Sequence, residues 1–314
     1  MSAASHELTN AALADATLRA YWQSGQVFEL AVDGAGTRSV FARVEGQACG
    51  PWITLLHGFP GSSWDFHRVV PLLERRFRML SFDFLGYGAS EKGKHIAHST
   101  ALNANTATAL WDRLGVEATV VAGHDIGTAV LQELLARQQE SKRAPRIRGA
   151  LFSNGMVIND RFTPSTLQRL LLSRFGGLVS RALSERPFAA RLREATGTSC
   201  LLSAADYSTL WKAFSREGGH RHAHRLVHHL RERRINKARW EGVLNTATLP
   251  VRFVWGREDP FANFVADDIR RRIPGAIVRE LPQVGHFPPL EASEQFAASL
   301  EELAGGNDEI RSPE

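Results

Sequence analysis

The sequence predicts an α/β fold: a mostly parallel eight-stranded sheet with helices on both faces and a helical insertion. Three observations predict it. Short apolar runs alternate with amphipathic stretches along most of the 314 residues, which is the pattern of strands buried on both faces by crossover helices. A β-rich run ending in small residues leads directly into a helix at "VVAGHDIGTAV" (120–130). From about Ile158 to Thr248 no strand pattern occurs at all, a gap far longer than an ordinary crossover.

Residues 1–25 read as a helical extension before the first strand. "QVFELAV" (26–32) and "SVFARV" (39–44) alternate apolar and polar residues as an opening antiparallel pair does. "WITLLH", "FRMLSFD", "ATVVAG", "IRGALFS", "LPVRFVWG" and "AIVREL" follow as short buried strands. Between them "VVPLLERRF", "TALNANTATALWDRLG", "GTAVLQELLARQQ" and "ADDIRRRI" carry apolar residues at helical spacing. The core is thus expected over 26–157 and 249–304. The interval 158–248 is expected as a helical cap, with helices in "PSTLQRLLLSRFGGLVSRAL", "AADYSTLWKAF" and "AHRLVHHLRERR". The polar residues 305–314 are expected as a frayed tail.

Composition narrows the function. No run approaches the roughly 18 apolar residues of a membrane span, and the start lacks the basic-then-apolar order of a secretory signal. Cys49 and Cys200 lie in different predicted segments, so a disulfide framework is not expected and a reducing cytoplasm is. A formal charge of +5 is too small to argue for nucleic-acid binding. Its excess between Arg216 and Arg239 reads as a solvated basic face, leaving room for peripheral membrane contact. The histidines of "GGHRHAHRLVHHLRERR" would place His224 and His228 on one helical face, but no Cys or spaced acid completes a metal site and the arginines oppose a cation. Neither a metal nor another cofactor is expected; the oligomeric state is left open.

Five motifs occur in order, each after a predicted strand: "HGFPGSSWDF", "DFLGYGAS", "GHDIG", "GREDP" and "VGHFPPLE". In them the chain resembles the α/β-hydrolases across nearly its whole length. "HGFP" with an aspartate at the elbow resembles epoxide hydrolases and haloalkane dehalogenases. "LLHGFPGSSWDF", "DFLGYGAS", "HDIGTAVLQELL" and "LFSNG" resemble the mesoderm-specific transcript group, with Gly123 where that group carries serine.

The resemblance makes Asp125 the expected nucleophile, and chemistry supports it. A carboxylate attacking saturated carbon gives an ester that water can cleave, whereas attack on a carboxylic ester would give a high-energy anhydride. The plainer alternative for Asp125 is a helix cap. His286, after the last strand, is the expected base, and Asp259 the acid that orients it; Asn154, after the earlier strand, cannot ionise. The backbone N–H groups of Phe59 and Ile126 are the expected oxyanion donors. A departing halide needs aimed N–H donors; the resemblance implies a tryptophan right after the nucleophile, often with an asparagine after "HG", but Ile126 and Phe59 stand there. The carboxylate-binding arginine of haloacetate dehalogenases is absent too. Epoxide opening would need a cap hydroxyl, so Tyr207, with Trp211 one turn on and His229 as a second donor, is expected in the substrate site. The expected function is hydrolysis of a small apolar epoxide, with an alkyl halide as the alternative. The alternative from another class is an inactive lipid- or protein-binding homologue.

Overall fold

The computed structural model describes residues 3–141, 146–158, 161, 163–199 and 202–305, with side chains from Ala12 onward. Its eight strands are β1 Gln26–Val32, β2 Gly36–Gly46, β3 Trp52–Leu56, β4 Arg78–Phe82, β5 Thr119–His124, β6 Ile147–Ser153, β7 Val251–Gly256 and β8 Ile277–Leu281. They form one sheet in the order β1-β2-β4-β3-β5-β6-β7-β8. The β1–β2 and β2–β4 pairs are antiparallel, and every other pair is parallel.

The helices α1 Ala3–Gln23, α2 Val70–Leu73, α3 Thr100–Leu114 and α4 Ile126–Glu140 precede β6. Seven more lie between β6 and β7: α5 Thr166–Leu171, α6 Gly176–Ala182, α7 Glu185–Ala195, α8 Ala204–Ser215, α9 Ala223–Leu226, α10 His229–Ile235 and α11 Lys237–Thr246. Then come α12 Val265–Arg272, α13 Pro288–Glu291 and α14 Ser293–Gly305. No described helix is long and apolar enough to cross a membrane.

Sequence chemistry sets these boundaries. Ser99 caps α3 by accepting from the Leu102 N–H, and Gly115 closes it in the left-handed conformation at φ 66°. Ser165 and Ser203 open α5 and α8 through reciprocal capping boxes with Gln168 and Asp206. β5 is buried at every position, so its C-terminal end delivers the elbow from the middle of the sheet, where ligands of such folds bind. One sheet face carries Leu80, Phe82, Val121, Phe152 and Phe253 into the larger core cluster; the other carries Ile53, Leu55, Ala122, Leu151 and Val254 against α14.

Three expectations are corrected. "PSTLQRLLLSRFGGLVSRAL" is two helices, α5 and α6, separated at Ser173–Phe175. "AHRLVHHLRERR" is broken between Leu226 and His229, so His224 and His228 do not lie on one helix. "VVPLLERRF" yields only the single turn of α2. Cys49 is exposed; of the expected tail at 305–314, Gly305 ends α14, while Cys200 and residues 306–314 lie outside the described residues.

Candidate active site

The β5–α4 corner is as tight as a backbone allows. A Cβ at Gly123 would stand 2.5 Å from the Gly127 carbonyl oxygen, and one at Gly127 would stand 2.2 Å from that of Leu56. Between these glycines Asp125 is held at φ 48°, ψ −112°, a conformation costly for any L side chain and tolerated where the surroundings over-determine it. Asp125 makes no side-chain bond to the first turn of α4, which rules against the helix-cap alternative. Instead its Oδ2 accepts from the Phe59 N–H at 2.8 Å.

His286 and Asp259 meet as expected. Nδ1 of His286 lies 2.9 Å from Oδ2 of buried Asp259; the carboxylate accepts, so Nδ1 carries a proton. Burial alone would push this imidazole down, but the Asp259 charge and hydrogen bond, with Asp125 and Glu291 adding to them, hold it up at about 9. Burial pushes the Asp259 carboxyl up, and the His286 charge and the hydrogen bonds from His286, Asn154 and Phe261 outweigh it, leaving it below its ordinary value.

Several residues with no role expected from sequence build this geometry. Asn154, at φ 39°, donates from Nδ2 to Asp259 Oδ2 at 2.8 Å and accepts the Gly256 N–H at 2.8 Å. The position that cannot ionise therefore orients the acid that does. Glu291 accepts the N–H groups of Gly197, Gly285 and Phe287 at 2.7–2.9 Å, and the His286 N–H donates to the Ala195 carbonyl at 2.7 Å. The loop carrying His286 is thus tied to the end of α7.

His124 donates from Nε2 to the His286 carbonyl at 2.7 Å; burial, with the His286 charge, lowers its pKa to about 4, so it stays neutral. Arg233, expected on a solvated basic face, is instead buried and donates to Thr128 Oγ1 at 2.9 Å, to the Met156 carbonyl and, at 3.4 Å, to the Asp125 carbonyl. Burial lowers its pKa only to about 10, opposed by Asp125, Glu241 and Glu232, so it remains a cation at the base of the elbow.

The expected substrate residues separate. Phe59 anchors an aromatic cluster, with ring centroids 5.6 Å from Phe214 and 6.4 Å from Tyr87, and Phe188 stacks on Phe214 and meets Trp211 at 5.1 Å. Trp211 thus belongs to the outer part of this cluster. Ile126 is buried and, with Tyr87 and His229, lines a cavity of about 20 Å³, room for roughly one water. The Tyr207 hydroxyl is engaged with Thr196 Oγ1 at 3.1 Å, and its ring packs in a cluster with Leu18, Trp64 and Phe287. His229 Nδ1 lies 2.9 Å from the Leu226 carbonyl, and burial lowers its pKa. Its one proton is spent there and Nε2 is an acceptor, so His229 does not suit the proton-donor role expected of it.

Tyr87 is the hydroxyl that sequence reasoning passed over. It is buried against His57, Phe59 and Phe84, and burial with the Asp125 charge raises its pKa well above the ordinary tyrosine value. It lies in "DFLGYGAS", ahead of the helical insertion in which the sequence pattern placed the donor. A surface groove of about 670 Å³ between α1, α8 and β1, lined by Leu18, Trp22 and Lys212, contains none of these groups. No group of three or more His, Cys, Asp or Glu side chains among the described residues is arranged to hold a metal ion.

Known proteins are similar to this chain in sequence or in fold. LipZ of Mycobacterium tuberculosis, named as a hydrolase, is 35% identical over 259 residues, covering 82% of this chain and 89% of LipZ. The human mesoderm-specific transcript homolog protein is 30% identical over 251 residues, 76% of this chain and 74% of that protein. The crystal structure of haloalkane dehalogenase DbeA from Bradyrhizobium elkani superposes with a TM-score of 0.74 at 20% identity, over 91% of this chain and 99% of DbeA. The family model described as the alpha/beta hydrolase fold matches residues 51–293, from just before β3 to the start of α14, and so the chain belongs to the α/β-hydrolase family.

Proposed function

We propose that this hydrolase works through an ester on Asp125 and that its substrates are small apolar epoxides held beneath a cap formed by residues 158–248. The observation that carries the reading is a carboxylate, not a hydroxyl, at the strained elbow, with the Phe59 N–H on one of its oxygens.

In the first step Asp125 Oδ1 attacks an epoxide carbon, the C–O bond breaks, and the leaving oxygen takes a proton from the Tyr87 hydroxyl. Esterification removes one of the negative charges that hold His286 protonated, so the imidazolium gives up a proton that restores the phenol. His286 is then neutral when a base is needed. In the second step its Nε2 takes a proton from water, the oxygen attacks the ester carbonyl carbon, and the oxyanion is held by the N–H groups of Phe59 and Ile126. The intermediate collapses with cleavage of the bond between the carbonyl carbon and Oδ1, the proton left on the water-derived oxygen passes to the departing alkoxide, the diol leaves, and the carboxylate returns with one oxygen from water. Asp259 stabilises the imidazolium and Asn154 holds Asp259.

An alkyl halide would be attacked by the same carboxylate, but halide departure calls for aimed N–H donors, and the side chains of Phe59 and Ile126 have none. The hydroxyl of Tyr87 favours a leaving oxygen. Tyr87→Phe keeps the ring and deletes only its hydroxyl. Its kcat on an epoxide is expected to fall about 100-fold with little change in KM, measured as diol formed over many turnovers by wild type and variant. An unchanged kcat would remove Tyr87 from the mechanism, and no turnover by the wild type across an epoxide panel would remove the substrate class.

A further inference from the structure

The helical hairpin of α5 and α6 combines two features on its outer side. Leu170, Phe175 and Leu178 are 47, 51 and 63% exposed, and Arg169, Arg174 and Arg181 are interleaved with them, exposed as well. Residues 163–183 contain no Asp or Glu, so nothing within the hairpin offsets the three charges. The element beside it adds to them. Arg231 donates to the Leu172 carbonyl at 2.7 Å, and His224 Nδ1 lies 3.0 Å from Ser180 Oγ, which sets the basic run 221–231 against the hairpin. Glu232, the acid that follows that run, turns inward and accepts from the Thr100 N–H and hydroxyl at 2.9 and 2.7 Å.

We infer that this hairpin docks on the anionic surface of a lipid bilayer, with Leu170, Phe175 and Leu178 entering the boundary between headgroups and acyl chains and the arginines at phosphate level. Charge complementarity selects an anionic partner, since guanidinium groups near an acidic leaflet each add to attraction. The apolar tips select lipid over nucleic acid, which would meet the arginines and gain nothing from three exposed hydrophobes. The Arg174 guanidinium already rests on the Phe175 ring, 4.7 Å from its centroid; a long basic side chain can lie along an apolar neighbour while its head stays in water, as this docking requires. Docking through the cap would place the site beside a reservoir of apolar molecules. No residue proposed for catalysis contributes to the surface, so the inference stands or falls apart from the epoxide reading.

The test is co-sedimentation of the full chain with vesicles of phosphatidylcholine alone and of phosphatidylcholine with one third phosphatidylglycerol, at low and high salt. The expected result is binding about tenfold tighter to the anionic vesicles and weakened by salt. Arg174→Glu with Arg181→Glu, and separately Phe175→Ser with Leu178→Ser, should each lower that binding about tenfold while circular dichroism is unchanged, because these side chains are exposed. Equal binding to both vesicle types, or none, overturns the inference. So does full binding by the serine pair, which would mark a polyanion-binding surface of charge alone. Conversion of a dimer to a monomer by the serine pair in light scattering would assign the patch to a second copy and overturn it too.

Discussion

Asp125→Asn protein is expected to lose about 10⁴-fold or more of kcat/KM while keeping its fold. The size follows from deleting the atom that forms the covalent bond, a loss of the order seen when a nucleophile is removed from a hydrolase. The fold should hold because asparagine has the shape of aspartate and imposes no new backbone demand at this position, and its Oδ1 can still take the Phe59 N–H. A second readout separates loss of the nucleophile from general damage. Asp125 is one of the charges holding His286 at about 9; with a neutral amide in its place the imidazole should titrate lower, visible in an NMR titration of the ring protons. Retained turnover would contradict the covalent route. Lost turnover with an unmoved His286 titration would mean that the two side chains do not share a site.

The second large effect falls on the second half-reaction. Glutamine at 286 cannot take a proton from water, but Asp125 can still attack, so His286→Gln protein should stall as the ester. Turnover is expected to fall about 10³- to 10⁴-fold, and mass spectrometry of the protein after incubation should show one adduct on the peptide containing Asp125. The adduct mass names the leaving group: an epoxide adds its entire mass, whereas an alkyl halide adds its mass less hydrogen halide. Absence of any adduct, in a variant whose wild type turns the substrate over, would contradict the assignment of His286 to ester cleavage.

The fold was legible where a periodic pattern was strong and local. β1 and β6 coincide with "QVFELAV" and "IRGALFS", because β1 alternates toward a single core and β6 is an apolar run bounded by turns. The insertion was harder to read. α7, in "ERPFAARLREA", and α11, in "KARWEGVLNT", went unread: α7 buries only Leu192 and Ala195, and α11 only Trp240, Val243 and Leu244, so neither repeats an apolar stripe for long. The break in 223–234 comes at Val227–His228, where no Gly or Pro announces it.

In the site, Asp125, Asp259 and His286 stand out because each follows a strand within a distinctive motif. The residues that hold them do not. Asn154 acts through an amide 105 positions from Asp259, and Arg233 reads as one more arginine in a basic run until packing turns it inward to the elbow. Tyr207 and Tyr87 illustrate the same limit: sequence gives the hydroxyl, but which one is engaged elsewhere depends on tertiary contacts such as Thr196.

The central claim, that water cleaves an ester of Asp125, is tested most directly by a single turnover in ¹⁸O-enriched water with enzyme in excess over epoxide. The account predicts one heavy oxygen in the Asp125 carboxylate, found in its proteolytic peptide, and none in the diol from that first turnover. Heavy oxygen in the diol with an unlabelled peptide would show that water attacks the substrate directly, and would contradict it.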